Sequence, residues 1–172
     1  MTSDLSVTNG LDALLRKHRG ALAWSPGEVI GEWSRLPPID DLVALRDGLN
    51  VALCGMGGAK AVELTRLLLG CYPVVKPHDP DTYVRALASV FEGLPADLGP
   101  MVVRAVSTAK DLLPTRAVVA ATCEEAVKPR QDAKRAVLAY LEEYERRRTT
   151  KLTVQRATRE HVEKVMKEAG YK

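Results

Sequence analysis

The sequence contains few aromatic residues, few cysteines and no long apolar run. Only 5% of its 172 residues are aromatic and three are cysteines, an odd number with wide spacing, which indicates reduced thiols rather than a disulfide framework. No stretch of about 18 apolar residues is present to cross a membrane, and residues 1–10 lack the basic-then-apolar order of a signal peptide. These absences argue against membrane insertion and secretion, so we expect a cytoplasmic protein with no membrane partner.

What the sequence does contain is a series of helix signals. Ser25 followed by proline predicts a helix that runs to about Arg35, and Asp79 with Pro80 predicts another that ends near Gly93. Further helices are predicted to start near Leu11, Asp40, Ala59 and Thr115. Strand signals do not recur in the same way, so the predicted fold is all-α, a compact helical bundle.

The last part of the chain is predicted to form two helices separated by a linker. Pro129 lacks a backbone donor, so we expect a new helix to begin there and to run to Arg148. Residues 149–154 are rich in β-branched side chains and are predicted to be a linker, and a final helix is expected from Gln155 to Ala169. This organisation divides the chain into an N-terminal helical preface (residues 1–53), a helical core (54–128) and a basic C-terminal helical extension (129–172).

Positive charge is concentrated at the C-terminal end. Residues 128–172 contain 13 lysines and arginines against 7 aspartates and glutamates, whereas residues 1–127 contain 12 against 15. Attraction to a polyanion grows with local charge, so this extension is a candidate contact with nucleic-acid phosphates or with an acidic protein surface. Interleaved glutamates leave open the alternative of a solvated helix face. The candidate nucleic-acid-binding residues are Arg146, Arg147, Arg148, Lys151, Arg156 and Arg159.

Two tyrosines precede this basic run. Tyr140 and Tyr144 lie one helical turn apart and are candidate partner-binding residues, because a tyrosine can stack on a base or anchor a protein contact. Packing within the fold is the alternative role for both.

No motif predicts catalysis, a metal site or a cofactor. The glycines from Gly55 to Gly58 precede a helix but lack the Gly-Lys-Ser/Thr ending of a nucleotide-binding loop, so we interpret them as an interhelical turn. Cys71 and His78 lack a third orienting residue at diagnostic spacing, and the cysteines are expected to be core residues. We therefore expect a protein that is not an enzyme and that binds no cofactor.

Short motifs punctuate the helices between Leu67 and Leu141. They are Tyr72-Pro73, Tyr83, Pro95 with Val102, Ala105 and Val106, Pro114-Thr115, Cys123-Glu124 and Lys128-Pro129-Arg130. Their order over about 75 residues resembles that of the phage replicative-helicase loader/inhibitor family, small helical proteins of phages and prophages. This chain has Val118 where the family usually has a glutamate, and it adds the N-terminal preface.

The resemblance implies an all-helical adaptor without ATPase motifs. Such a protein would bind the hexameric replicative helicase and help or block its delivery to DNA, acting only through its different affinities for the states of the helicase. Two alternatives stay open. One is a nucleic-acid-binding regulator that uses the basic extension, and the other is a phage-encoded inhibitor of a host or defence complex.

Overall fold

The computed structural model describes residues 3–23, 36–72, 77–108 and 112–168. Among these residues there are seven α-helices and no strand, which confirms the predicted all-α fold. The helix predicted from Ser25 to Arg35 lies outside the described residues. In chain order the helices are α1 (Ser3–Lys17), α2 (Arg19–Leu22), α3 (Ile39–Ala52), α4 (Gly58–Gly70), α5 (Pro80–Phe91), α6 (Gly99–Thr108) and α7 (Arg116–Glu168).

Two of the predicted helix starts are fixed by side-chain caps. The Asp79 carboxylate accepts a hydrogen bond from the backbone N–H of Thr82 at 3.1 Å, with proline as the first residue of α5. The Thr115 hydroxyl accepts one from the backbone N–H of Val118 at 3.3 Å. Each cap satisfies a donor that the first helical turn leaves without a partner, so both starts follow from the local sequence.

The buried apolar residues form two clusters that share α7. The central cluster joins α4, α5, α6 and the start of α7, and the N-terminal cluster joins α1, α3 and the middle of α7. Members of the central cluster include Leu68, Leu87, Phe91, Val102, Val106 and Val119. The buried residues of the N-terminal cluster are Leu11, Leu42, Leu45, Leu49, Val137 and Tyr140.

The long helix α7 corrects two predictions. It runs for 53 residues, so Pro129 lies inside it rather than at the start of a new helix, and residues 149–154 are helical rather than a linker. The helix is held on both sides of Pro129, because Cys123 is buried in the central cluster and Val137 in the N-terminal cluster. This packing outweighs the loss of one backbone donor. The boundary expected between residues 128 and 129 falls inside this helix.

Three threonines after Glu145 form hydrogen bonds within the helix itself. The hydroxyls of Thr149, Thr150 and Thr153 donate to backbone carbonyls four residues earlier, at 2.9, 2.9 and 3.0 Å. A threonine in a helix can adopt the rotamer that makes this bond, which satisfies its polar group without breaking the helix.

Candidate interaction arm

The end of α7 extends beyond the rest of the fold. Before this point α7 packs against α2, α3, α5 and α6. From Arg148 to Glu168 every side chain that the structure describes is exposed. We call residues 148–168 the arm. At a rise of 1.5 Å per residue, the arm is about 30 Å long, close to the diameter of a small domain.

Just before the arm, a buried carboxylate binds two of the candidate arginines. Glu143 accepts hydrogen bonds from Arg146 at 2.7 and 2.8 Å and from Arg147 at 2.7 Å. These two arginines lower the pKa of the Glu143 carboxyl to about 2, with the bond from Arg146 as the larger cause. The spacing of three and four residues is the signal in the sequence for this pairing. Arg146 and Arg147 therefore have a structural role through their bonds to Glu143.

The four remaining candidate cations lie on the arm, and all four are exposed. The side chain of Arg148 is 74% exposed and lies 4.0 Å from Glu145, and that of Arg159 is 82% exposed and pairs with Glu163 at 3.0 Å. Lys151 and Arg156 are exposed too. No aspartate or glutamate occurs between residues 146 and 159, so the carboxylates that pair with the arginines of this stretch, Glu143, Glu145 and Glu163, all lie outside it. Exposed pairs of the Arg159–Glu163 kind contribute little and exchange readily for other partners.

The distal half of the arm has an apolar stripe. Val162, Val165 and Met166 are spaced at three and four residues, which places them on one face of the helix. Each of them is about half exposed, at 48, 48 and 49%. The arm thus combines an exposed basic half and an exposed apolar stripe within a single helix.

The two candidate partner-binding tyrosines lie within the body of the protein. Tyr140 is buried in the N-terminal cluster and its hydroxyl donates to the Ala21 carbonyl at 3.0 Å. Tyr144 is half-buried against the same cluster and its hydroxyl donates to the Pro37 carbonyl at 2.8 Å. Both tyrosines thus pack within the fold through these contacts. A partner would reach Tyr140 only if the N-terminal cluster rearranged.

The glycine-rich segment has the turn role predicted from the sequence. Gly57 has a φ of +77°, a conformation that favours glycine, and it caps the start of α4. A Cβ atom at Gly55 would overlap the backbone carbonyl oxygen of Glu92. A Cβ at Gly58 would lie 3.3 Å from the Glu92 carboxylate, so an acidic group already lies close to the N-terminus of α4.

The cysteines divide into one buried and two exposed residues. Cys123 is buried, and burial raises the pKa of its thiol to about 11. Cys54 and Cys71 are exposed, so the prediction that they are core residues is wrong. All three are free thiols, and the Cys71 thiol donates to the backbone carbonyl of Leu67 at 3.5 Å. The exposure of Cys71 agrees with that of Leu67, one helical turn earlier, which faces solvent while Leu68 is buried.

Comparison with known proteins yields no relative. No protein-family model matches the chain, and no curated protein or solved structure gives a significant match. The resemblance to the helicase loader/inhibitor family therefore stays a prediction. Across the described part of the chain, no helix is both long enough and apolar enough to cross a membrane. The same residues include no group of three or more histidine, cysteine, aspartate or glutamate side chains placed to hold a metal ion.

Proposed function

We propose that this protein is a non-enzymatic helical adaptor that binds another protein through its arm, and that a hexameric replicative helicase is this partner. The observation that carries the proposal is the arm itself, about 30 Å of helix with all its described side chains exposed. Most of the stability of a helix in a protein comes from tertiary packing, so a partner that covers the arm supplies the packing that the described rest of the chain does not. The motif order from Leu67 to Leu141 is the reason to choose the helicase.

Such an adaptor needs no chemistry of its own. It binds one assembly state or DNA-bound state of the helicase more tightly than another, and the difference in affinity shifts the population of states. Helicase loading on DNA then rises or falls according to which state the arm favours.

The test is direct binding between purified components. Tagged full-length protein is mixed with a bacterial hexameric replicative helicase at micromolar concentration, low salt and without nucleic acid. We expect the helicase to co-purify with the wild type and to be lost or strongly reduced with Arg148→Glu/Lys151→Glu on the arm. The matched control is Lys60→Glu/Arg66→Glu, which makes the same charge change at exposed positions of α4. Failure of the wild type to retain any helicase contradicts the proposal.

A second candidate function is direct binding of nucleic acid by the same arm. The observation that favours it is the stretch from Arg148 to Arg159, which has four exposed cations and no carboxylate. Cations at one- to two-turn spacing along a helix can each neutralise a phosphate and release a counterion. Contacts of this kind are independent of base sequence.

Salt dependence distinguishes this second function from the first. Each phosphate contact adds about 0.9 to the slope of log affinity against log salt concentration for duplex DNA. We therefore expect Lys151→Gln and Arg156→Gln each to lower this slope by about one. The control Lys60→Gln, on α4, should leave the slope unchanged. An unchanged slope in both arm variants excludes phosphate binding by these residues.

A further inference from the structure

The arm continues a face of α7 that is covered elsewhere in the protein. Val137 is buried and Tyr144 is half-buried against the N-terminal cluster. Steps of seven residues from Tyr144 lead to Lys151, Thr158 and Val165, and two turns of helix correspond to nearly this step. In the body this face packs against α3, but beyond Arg147 no described residue of the chain covers it.

A second row of residues on the same face of α7 also continues from the body into the arm. Leu141 packs against the N-terminal cluster, and steps of seven residues lead from it to Arg148 and on to Val162. We call the uncovered continuation the seam, formed by Arg148, Lys151, Thr158, Val162, Val165 and Met166. Its half near the body is basic and its distal half is apolar.

A second copy of this chain is a poor occupant of the seam. In a parallel pair of arms each seam residue faces its own copy, so Arg148 meets Arg148 and Lys151 meets Lys151. In an antiparallel pair that overlaps the arms fully, the basic half of each seam lies against the apolar half of the other, so that Lys151 meets Val165. Neither arrangement gives Arg148 and Lys151 a carboxylate on the facing seam, and the parallel one also holds like charges side by side, so the seam discriminates against self-pairing.

From this distribution of charge and apolar surface we infer that the seam docks an acidic amphipathic helix of a protein partner. The partner helix presents carboxylates to Arg148 and Lys151, and to Arg159 at the edge of the seam. It presents apolar side chains, spaced at three and four residues, to the stripe that contains Val162 and Val165. Opposite charges that face each other across the helix pair set partner choice and orientation, and the apolar contacts supply most of the affinity. This inference rests on the proposed function and states the chemistry of its contact.

The test uses synthetic helical peptides of about 20 residues, the length of the arm. One peptide has glutamates on the N-terminal half of its stripe and leucines on the C-terminal half, and a second has the reverse order, so that the two cover parallel and antiparallel docking. A third peptide has the same composition with the stripe scrambled. Binding of the labelled peptides to the full-length protein is measured by fluorescence anisotropy. We expect one striped peptide to bind in the micromolar range and the scrambled peptide to bind at least about tenfold more weakly.

Matched variants assign the binding to the seam. Lys151→Glu should weaken binding about tenfold, whereas Lys164→Glu should not, since Lys164 lies two residues after Val162 and so on the opposite side of the helix. Val162→Gln/Val165→Gln should abolish binding, and Leu67→Gln, at an exposed leucine of α4, should leave it unchanged.

Three results would overturn the inference. They are equal binding of striped and scrambled peptides, equal losses in Lys151→Glu and Lys164→Glu, and dimerisation of the wild type that Val162→Gln/Val165→Gln abolishes. Helicase retention by the wild type without binding of either striped peptide leaves the proposed function standing and removes only the seam. Peptide binding without helicase retention leaves the seam standing and removes the helicase as partner.

Discussion

Arg130 and Asp97 form a two-point ion pair that joins the two halves of the fold. One guanidinium nitrogen of Arg130 donates to Asp97 at 3.1 Å and also to the Ala52 carbonyl at 2.8 Å, and the other donates to the second Asp97 oxygen. Ala52 ends α3, Asp97 precedes α6, and Arg130 lies in α7. The central and N-terminal clusters are thereby connected through one side chain, next to the proline that α7 contains.

Removal of the Asp97 charge should weaken this connection. We expect Asp97→Asn to lower the free energy of unfolding by about 1 kcal/mol, a modest figure because the Asp97 side chain is half exposed. The hydrogen bond from Arg130 lowers the pKa of the Asp97 carboxyl in the folded protein. The stability that this pair contributes is therefore present above the pKa of Asp97 in the unfolded chain, and it is lost as the pH falls through the lower pKa of Asp97 in the fold. Urea unfolding at several pH values measures the difference. Asp47→Asn, in an exposed pair with Arg46, should cost less than Asp97→Asn, and equal losses would contradict the role of the Arg130–Asp97 pair.

The Glu143 pair should give a distinct pH dependence. Because the carboxyl has a pKa of about 2 in the fold against 4.5 for the unperturbed group, it stabilises the fold fully above pH 4.5. This contribution is lost as the pH falls towards 2. We expect Glu143→Gln to be less stable than the wild type at pH 6 and the difference to shrink steadily between pH 4.5 and 2. A difference that is independent of pH would mean that the carboxylate does not bind the arginines in solution.

The glycine segment offers a test of close backbone packing. Gly55→Ala should cost about 2 kcal/mol, because the added Cβ would overlap the Glu92 carbonyl and the backbone must shift. The control is Gly70→Ala, at the end of α4, where an added Cβ meets no atom within 4 Å. That change should be neutral or stabilise the helix by up to about 1 kcal/mol. Thermal unfolding of the two variants measures both effects, and similar stabilities would show that Gly55 does not pack as described.

The tyrosine hydroxyls should matter for stability and not for binding. Tyr140→Phe and Tyr144→Phe each remove one hydrogen bond to a backbone carbonyl and should each cost about 1 kcal/mol. Binding of the striped peptides should be unchanged, because both hydroxyls are used within the N-terminal cluster. A loss of peptide binding with unchanged stability would restore the partner-binding role predicted from the sequence.

The helix starts could be predicted because they depend on neighbouring residues. Whether a helix continues past a proline could not, because that depends on tertiary packing. Asp79 and Thr115 cap their helices as expected, since a cap depends on residues a turn apart. Pro129 was expected to start a helix because the local signal is the same for a start and for an interruption. What decides between them is burial of Cys123 and Val137 in two different clusters, and no local pattern specifies those contacts.

The candidate site was predictable to a similar extent. Charge counting located the basic run, and the spacing of Glu143 to two of its arginines is visible in the sequence. The sequence does not indicate the residue at which α7 stops packing against the other helices. That residue lies between Tyr140, which is buried, and Lys151, which is exposed. The Arg130–Asp97 pair was missed because its partners are 33 residues apart with no shared motif.

Hydrogen–deuterium exchange of the full-length protein, with and without the hexameric helicase, tests the central claim most directly. The free arm should exchange quickly, since its helix has no tertiary cover among the described residues. We predict that the helicase slows exchange in residues 148–168 and leaves α5 and α6 unchanged. Protection confined to the central cluster, or no protection anywhere at saturating helicase, would contradict the role of the arm.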